Sequence, residues 1–275
     1  MGIVNLTSDS FYPESRHEET SLAIAAALAQ IEAGAEIIDL GAESSRPGAS
    51  PISPEAEQER MLPVVTGLRD ATATPITVDT TRSATAALVL QAGADGINDI
   101  SAGTADPEML PLLAEQQGGV VLMHMLGTPR TMQDNPLYDD VIATVCGHLT
   151  ERYAAAIQAG VTADRIVVDP GIGFGKGLEH NLDLLANLDR IGNGGPVLLG
   201  ASRKSFLGHL TGAPVQQRLG GSLATLGSAF LAGVSVVRVH DVAESRQFLD
   251  TFAAIQARKL LSPAQGEVEP PPDRC

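Results

Sequence analysis

The nine residues DPGIGFGKG (169–177) have the composition of a phosphate grip, with glycines at alternate positions, a lysine, and an aspartate after the apolar run RIVV. A Walker loop needs a glycine five residues before the glycine of its Gly-Lys pair and a Ser or Thr after the lysine; Pro170 and Gly177 stand there instead. A dinucleotide fingerprint fails in both registers, because Lys176 and Leu178 occupy the positions of its third glycine. Other polar residues also end apolar runs: Asn5, Asp39, Asp79, Asn98, Asp99, His124, Asp169, Ser202-Arg203-Lys204, and Arg238 with His240. Burying such groups without partners is costly, so as a set they suggest a site. Asp79, Asn98 and Asp169 offer acceptors and mixed donors suited to a nitrogen-rich heterocycle with amide-like edges. Arg238 and His240 lie two apart on a strand and project to one side, with Asp241 opposite. Two readings of Asp79 stay open, a ligand contact or the N-cap of a helix opened by Thr80 and Thr81. Asp39 and Asp99 are expected to bond neighbouring loops.

The elements that must carry these residues are legible as short Val- and Ile-rich runs: 2–6, 36–40, 75–79, 95–99, 119–125, 165–169, 196–202 and 235–240. Continuous apolarity suits strands covered on both faces of a parallel sheet. Each run is followed by a helix-length, Ala- and Leu-rich stretch. Gly34, Gly93, Gly160 and Gly233 fall where a helix C-terminus needs a left-handed residue before the next strand. Ser53-Pro54-Glu55 places a capping serine, a first-turn proline and an acid in order. Eight such units predict a single α/β domain, a closed (β/α)8 TIM barrel over 1–261, with an open doubly wound sheet as the alternative. In a barrel the site lies at the C-terminal ends of the strands. The loops after the first two strands are long enough to act as lids. The proline-rich segment 262–275 is expected to be a disordered tail.

A net charge of −15 disfavours nucleic-acid and anionic-membrane surfaces. No run of about 18 apolar residues predicts a membrane span, and the first residues lack the basic region of a signal peptide. Two cysteines form neither a disulfide framework nor a zinc site, so a reducing cytoplasm is the expected compartment. An anionic substrate would require local convergence of Arg46, Lys204, Arg238 and His240 against this acidic background.

The segments MGIVNLTSDSF, DLGAESSRPGA, TVDT, INDIS, LMHMLGTPRTMQ, DPGIGFGK, GASRKSFLG and RVHDV resemble, in order and spacing, the signatures of the dihydropteroate synthase family. The resemblance runs from Gly2 to the last helix of the barrel. It implies a TIM-barrel transferase that joins 6-hydroxymethyl-7,8-dihydropterin pyrophosphate to p-aminobenzoate with Mg2+, and works as a homodimer. By matching segment it implies a pterin pocket of Asp79, Asn98, Met123, Asp169, Gly200 and Lys204, with Asp79, Asp169 and Lys204 catalytic. Asn5, Arg46, Arg238 and His240 would hold the pyrophosphate, Asn5 also meeting the metal. Phe11, Ser45, Pro47, Phe174, Ser202 and Lys204 would border p-aminobenzoate. The nine-residue loop then recognises substrates and cradles no nucleotide.

Some positions depart from the family pattern: Ser8 replaces a frequent proline, YPES (12–15) a Ser-Asp-Gly-Gly run, Ser45 a frequent threonine and Ala42 a usual glycine. The chain also starts directly at its first strand, without the family's N-terminal hairpin. A methyltetrahydrofolate–corrinoid methyltransferase barrel would share the pterin acids but has no use for SSRPGA, SRKS and RVH. A non-catalytic pterin-binding relic would have lost a mechanistic residue, and none is lost.

Overall fold

Eight apolar runs become eight parallel strands: β1 (Gly2–Asn5), β2 (Ile38–Gly41), β3 (Ile76–Asp79), β4 (Gly96–Asp99), β5 (Gly119–Met123), β6 (Ile166–Asp169), β7 (Leu198–Leu199) and β8 (Val236–Val237). The computed structural model describes residues 1–6, 13–42 and 52–261. Expectations for Phe11, Ser45, Arg46, Pro47 and the segment 262–275 lie outside the described residues. β1 to β6 pair in chain order, and β7 pairs with β8. Bridges between Val168 and Val197 and between Gly2 and Val239 join the two sheets at both seams. Closure is sealed by Val168 N donating to Pro196 O (3.1 Å) and Ile3 N to Val239 O (3.1 Å). The sheet is therefore a barrel, and the open-sheet alternative falls away.

Helices α1 (Pro13–Glu32), α2 (Pro54–Ala71), α3 (Ser83–Gln91), α4 (Met109–Gln116), α5 (Val141–Ala159) and α6 (Leu178–Ala186) each follow one strand. After β7 come two, α7 (Ser205–Thr211) and α8 (Leu219–Leu231), and α9 (Val242–Leu261) follows β8. Gly34, Gly93, Gly160 and Gly233 all take positive φ at helix ends, as their spacing predicts. Ser53 Oγ accepts from Ala56 N (3.2 Å), capping α2 ahead of Pro54.

The strands bury both faces, as parallel strands under a helix ring should. Ile38, Leu40, Ile76, Val78, Ile97 and Leu122 are fully buried between barrel and helices. A second cluster joins Val145, Val168, Leu184, Leu199 and Phe206 beneath α5 to α7. A small third one gathers Met123, Met132 and Phe174, with Ile100 and Met125 packed against it. β7 and β8 are shorter than the runs 196–202 and 235–240 predict. Gly200, Ser202, Arg238 and His240 lie just past their mouth-side ends.

Candidate active site

Strand register builds the first wall of the site. Asn5 pairs with Gly41, Gly41 with Asp79, and Asp79 with Asn98, so these residues lie in one row at the mouth. Paired residues project to the same side of a sheet, and a Cβ on Gly41 would sit 3.7 Å from Asn5 Oδ1 and 3.8 Å from Asp79 Cβ. On the far side Asp169 pairs with Met123. Gly200 leaves room between them: its Cβ would lie 3.8 Å from Asp169 Oδ2 and 3.9 Å from Arg238 Cβ. The structure thus gathers Asn5, Asp79, Asn98, Met123, Asp169, Gly200 and Arg238 around one mouth.

Asp79 is not a helix cap. The N-terminus of α3 is served by Thr80 Oγ1, which accepts from Arg82 N (3.2 Å), and by Asp106, which accepts from Ser83 N (2.8 Å). Burial pushes Asp79 up to about 7; Arg238 opposes this, and the carboxylates of Asp39, Asp99 and Glu57 add to it. Burial likewise raises Asp169 to about 6, against a hydrogen bond from Gly171 N (2.7 Å) and the nearby charge of Lys204. Two carboxylates poised this close to neutrality are costly for the fold and useful to a positively charged ligand.

Asp39, expected to bond a neighbouring loop, instead anchors the centre of the site. It is fully buried, and its Oδ2 accepts from Arg238 Nε (2.7 Å) and Asn98 Nδ2 (3.2 Å) while Oδ1 accepts from Thr77 Oγ1 (2.6 Å). Arg238 also approaches Asp79 (3.7 Å). Arg238 is therefore a member of a carboxylate network as well as a cation facing the mouth. Asp99 does keep the local role, accepting from Ser101 N (2.8 Å) and Gly103 N (2.7 Å).

Ser202, Lys204 and His240 form the adjoining wall. His240 Nδ1 lies 3.1 Å from Ser202 Oγ, and burial, with Arg238 and Arg203 nearby, lowers the imidazole to about 4. It is neutral at physiological pH, a donor or acceptor but no cation. Arg203, in the left-handed region at φ 56°, turns away to pair with Asp241, leaving the next residue to face the site. Lys204 sits with its ammonium 4.0 Å from the centroid of the Phe174 ring. Burial and Arg238 lower it to about 8.

The glycine-rich loop is a phosphate grip turned inside out. Gly171, Gly173 and Gly175 take φ values of 68°, 81° and 65°, and these turns aim the carbonyls of Gly171 and Phe174 inward while those of Gly173 and Gly175 face Gln133 and Tyr138 outside. Lys176 is buried, and its Nζ donates to Gly171 O (2.9 Å), Phe174 O (3.0 Å) and His124 O (3.3 Å) and lies 2.8 Å from His124 Nδ1. Where a Walker lysine reaches out to phosphate, this one is enclosed by its own loop. Alternating glycines are the signal in the sequence, but they do not tell a loop that grips an anion from one that encloses its own lysine.

A cavity of about 400 Å3 opens beside the carboxylate row, with Asp79, Thr80, Ile100, Ser101, Met123 and Met125 in its wall. That volume suits a small organic ligand. Its described wall does not reach Asp169, Lys204 or Arg238, which converge next to it. Ile100 and Met125, apolar residues just beyond strand ends, had no signal of their own in the sequence.

Asn5, exposed at the end of β1, is the candidate metal contact. Among the described residues no group of three or more His, Cys, Asp or Glu could hold a metal ion. A single amide oxygen does fit Mg2+, which keeps several waters and binds largely through substrate phosphates.

A closed (β/α)8 barrel with buried acids, a lysine on an aromatic face and a strapped arginine at its C-terminal mouth defines a ligand-binding barrel of the enzyme type. The chain belongs to the pterin-binding enzymes: the family model described as "Pterin binding enzyme" matches residues 1–240. It is 41% identical over 257 residues to a dihydropteroate synthase from Synechocystis sp., covering 93% of this chain and 89% of that one. It superposes on a Yersinia pestis dihydropteroate synthase in a sulfonamide drug complex with a TM-score of 0.88, at 38% identity and 94% coverage of both chains. A Xanthomonas albilineans dihydropteroate synthase in complex with 7,8-dihydropteroate superposes with a TM-score of 0.82, at 40% identity and 94% and 93% coverage. Among the described residues no helix is long and apolar enough to cross a membrane.

Proposed function

We infer that this barrel is a transferase of folate biosynthesis, a dihydropteroate synthase. It condenses 6-hydroxymethyl-7,8-dihydropterin pyrophosphate with p-aminobenzoate to give 7,8-dihydropteroate and pyrophosphate. The observation that carries the reading is the juxtaposition at one mouth of the partly buried Asp79 and the buried Asp169, acids for a polar heterocycle, with the cationic and hydrogen-bonding wall of Lys204, Ser202, Arg238 and His240. A pterin methyltransferase would need only the acids. The product-bound Xanthomonas albilineans relative supports the same reading.

In this proposal the pterin lies among Asp79, Asn98, Met123, Asp169, Gly200 and Lys204, its N–H edge toward the two carboxylates. Arg238, His240 and Asn5 hold the pyrophosphate, with Arg46 added by resemblance. The bond from the exocyclic methylene to the pyrophosphate oxygen breaks first, leaving positive charge on the pterin. Asp79 and Asp169 are already fixed where they stabilise that charge, a preorganised electrostatic contribution. The amine of p-aminobenzoate then attacks the methylene and releases a proton. Phe174 and the stem of Lys204 give its ring an apolar face, and Ser202 and the Lys204 ammonium offer donors to its carboxylate. Phe11, Ser45 and Pro47 join this border through the resemblance. Mg2+, met by Asn5, would neutralise the leaving pyrophosphate. A homodimer and a cytoplasmic location complete the reading.

The test is product formation with both substrates and Mg2+, beside Asp79→Ala and Lys204→Ala. The wild type should release pyrophosphate and form dihydropteroate while each variant loses at least about a hundredfold in kcat/KM. Wild-type protein that binds the pterin yet makes no product would sink the synthase reading.

A further inference from the structure

Lys176 takes no part in the mechanism above, yet it is a buried lysine with no carboxylate as a direct partner among the described residues. Burying an ammonium demands hydrogen bonds in place of water. Its three donors have four acceptors within reach, three of them carbonyls, and His124 Nδ1 at 2.8 Å completes the set. Burial lowers this ammonium to about 7, with the charge of Asp169 opposing, and where the lysine donates to His124 the ring nitrogen Nδ1 accepts. Around this centre the loop is bonded from outside as well. Gln133 Nε2 donates to Gly173 O (2.8 Å), Tyr138 Oη to Gly175 O (2.7 Å), and Asn181 Nδ2 to Gly177 O (2.6 Å). Asn181 Oδ1 accepts from Gly173 N (2.7 Å).

The outer face of this loop is what Lys204 rests on. The Phe174 ring lies under the Lys204 ammonium, and a Cβ on Gly173 would sit 3.2 Å from Lys204 Cδ. Phe174 O, one of the carbonyls held by Lys176, belongs to the residue that supplies that ring. Asp169 depends on the loop less, since its position is set by pairing with Met123 on the barrel strands.

We propose that Lys176 is a positioning residue for the second substrate: by gathering the carbonyls of Gly171 and Phe174 it holds the Phe174 ring that receives p-aminobenzoate, while the pterin contacts of Asp79, Asn98, Met123 and Asp169 stand on the strands. This rests on the synthase reading. A compact ammonium suits the enclosure, and the wide planar guanidinium of arginine does not.

The decisive measurement is steady-state kinetics of Lys176→Met and Lys176→Arg, with the affinity for the dihydropterin pyrophosphate taken separately by calorimetry. The KM for p-aminobenzoate should rise by about tenfold or more in both variants, with pterin affinity within about twofold of wild type. A loss shared equally between the two substrates, or unchanged KM for p-aminobenzoate, overturns the proposal. Melting curves identify a variant that fails to fold, in which case Tyr138→Phe decides. It removes one outer bond to the same loop and leaves the enclosure filled. A rise of about threefold in the p-aminobenzoate KM alone upholds the proposal, and a rise in both constants or in neither overturns it. The wild-type assay separately tests the activity, so failure of the synthase reading and failure of the lysine's role have different signatures.

Discussion

Among single residues, Asp169 shows the conflict between stability and function most directly. Its folded pKa of about 6 lies above the ordinary 3.8 because burial outweighs the hydrogen bond from Gly171 N. A raised carboxylate pKa stabilises the fold below pH 3.8, and that contribution is lost as pH rises through about 6. At pH 8 the ionised group costs the fold on the order of 3 kcal/mol. Asp169→Asn keeps an acceptor for Gly171 N and removes the charge. It should raise the melting temperature at pH 8 by a few degrees, change it little near pH 4, and abolish turnover. Equal melting shifts at both pH values would show that the carboxylate is not strained by burial. Asp79, Asn98 and Asp169 were legible because each ends an apolar run. Asp39 ends one too, but its partner Arg238 lies 199 residues further along the chain, and nothing local announces that pairing.

At the scale of elements, glycines separate positions the fold requires from positions it merely tolerates. Gly171 sits at φ 68°, and a Cβ there would meet His124 O at 1.9 Å, a clash with backbone that no rotamer relieves. Gly147, midway along α5 and exposed, has no neighbour within 4 Å of an added Cβ. Gly147→Ala should therefore stabilise by roughly 0.5–1 kcal/mol, raising the melting temperature by about 2–4 °C with kinetics unchanged. Gly171→Ala should displace the loop and lower kcat/KM by more than about a hundredfold. Thermal melts and kinetics on the pair check both directions at once. The strand–helix alternation and the four helix-ending glycines were open to sequence reasoning, since each depends on local backbone preference. The inward turn of 169–177 was not, because the same alternating glycines serve a loop that grips an anion or one that encloses its own lysine. Which way the carbonyls face is decided by His124 and Asn181, on other elements.

For the whole molecule, closing the barrel and building the site are one event. β8 completes the ring against β1, and that closure carries Arg238 onto Asp39 of β2 and toward Asp79 of β3. The same ion pair straps the last strand across the mouth and fixes a guanidinium where an anionic leaving group would sit. Asp39 is fully buried, so removing its partner leaves a carboxylate that water cannot reach. Arg238→Met should destabilise by about 3–5 kcal/mol. Asp39→Asn should also destabilise, because Arg238, Asn98 and Thr77 lose a charged acceptor. The double variant should be more stable than the sum of the single losses predicts, by about 1–3 kcal/mol, because neither buried charge is then orphaned. Denaturant titrations of all four proteins measure that coupling, and it should persist in high salt because the pair is shielded from solvent. Strict additivity would mean that the strap contributes nothing to closure and that the barrel holds β8 by its backbone ladder alone. The chain's net charge of −15 gives the strap its second consequence. In a molecule this acidic, a cation fixed at the mouth by a buried carboxylate keeps its place at any ionic strength, and the double variant should lose turnover even where its stability is recovered.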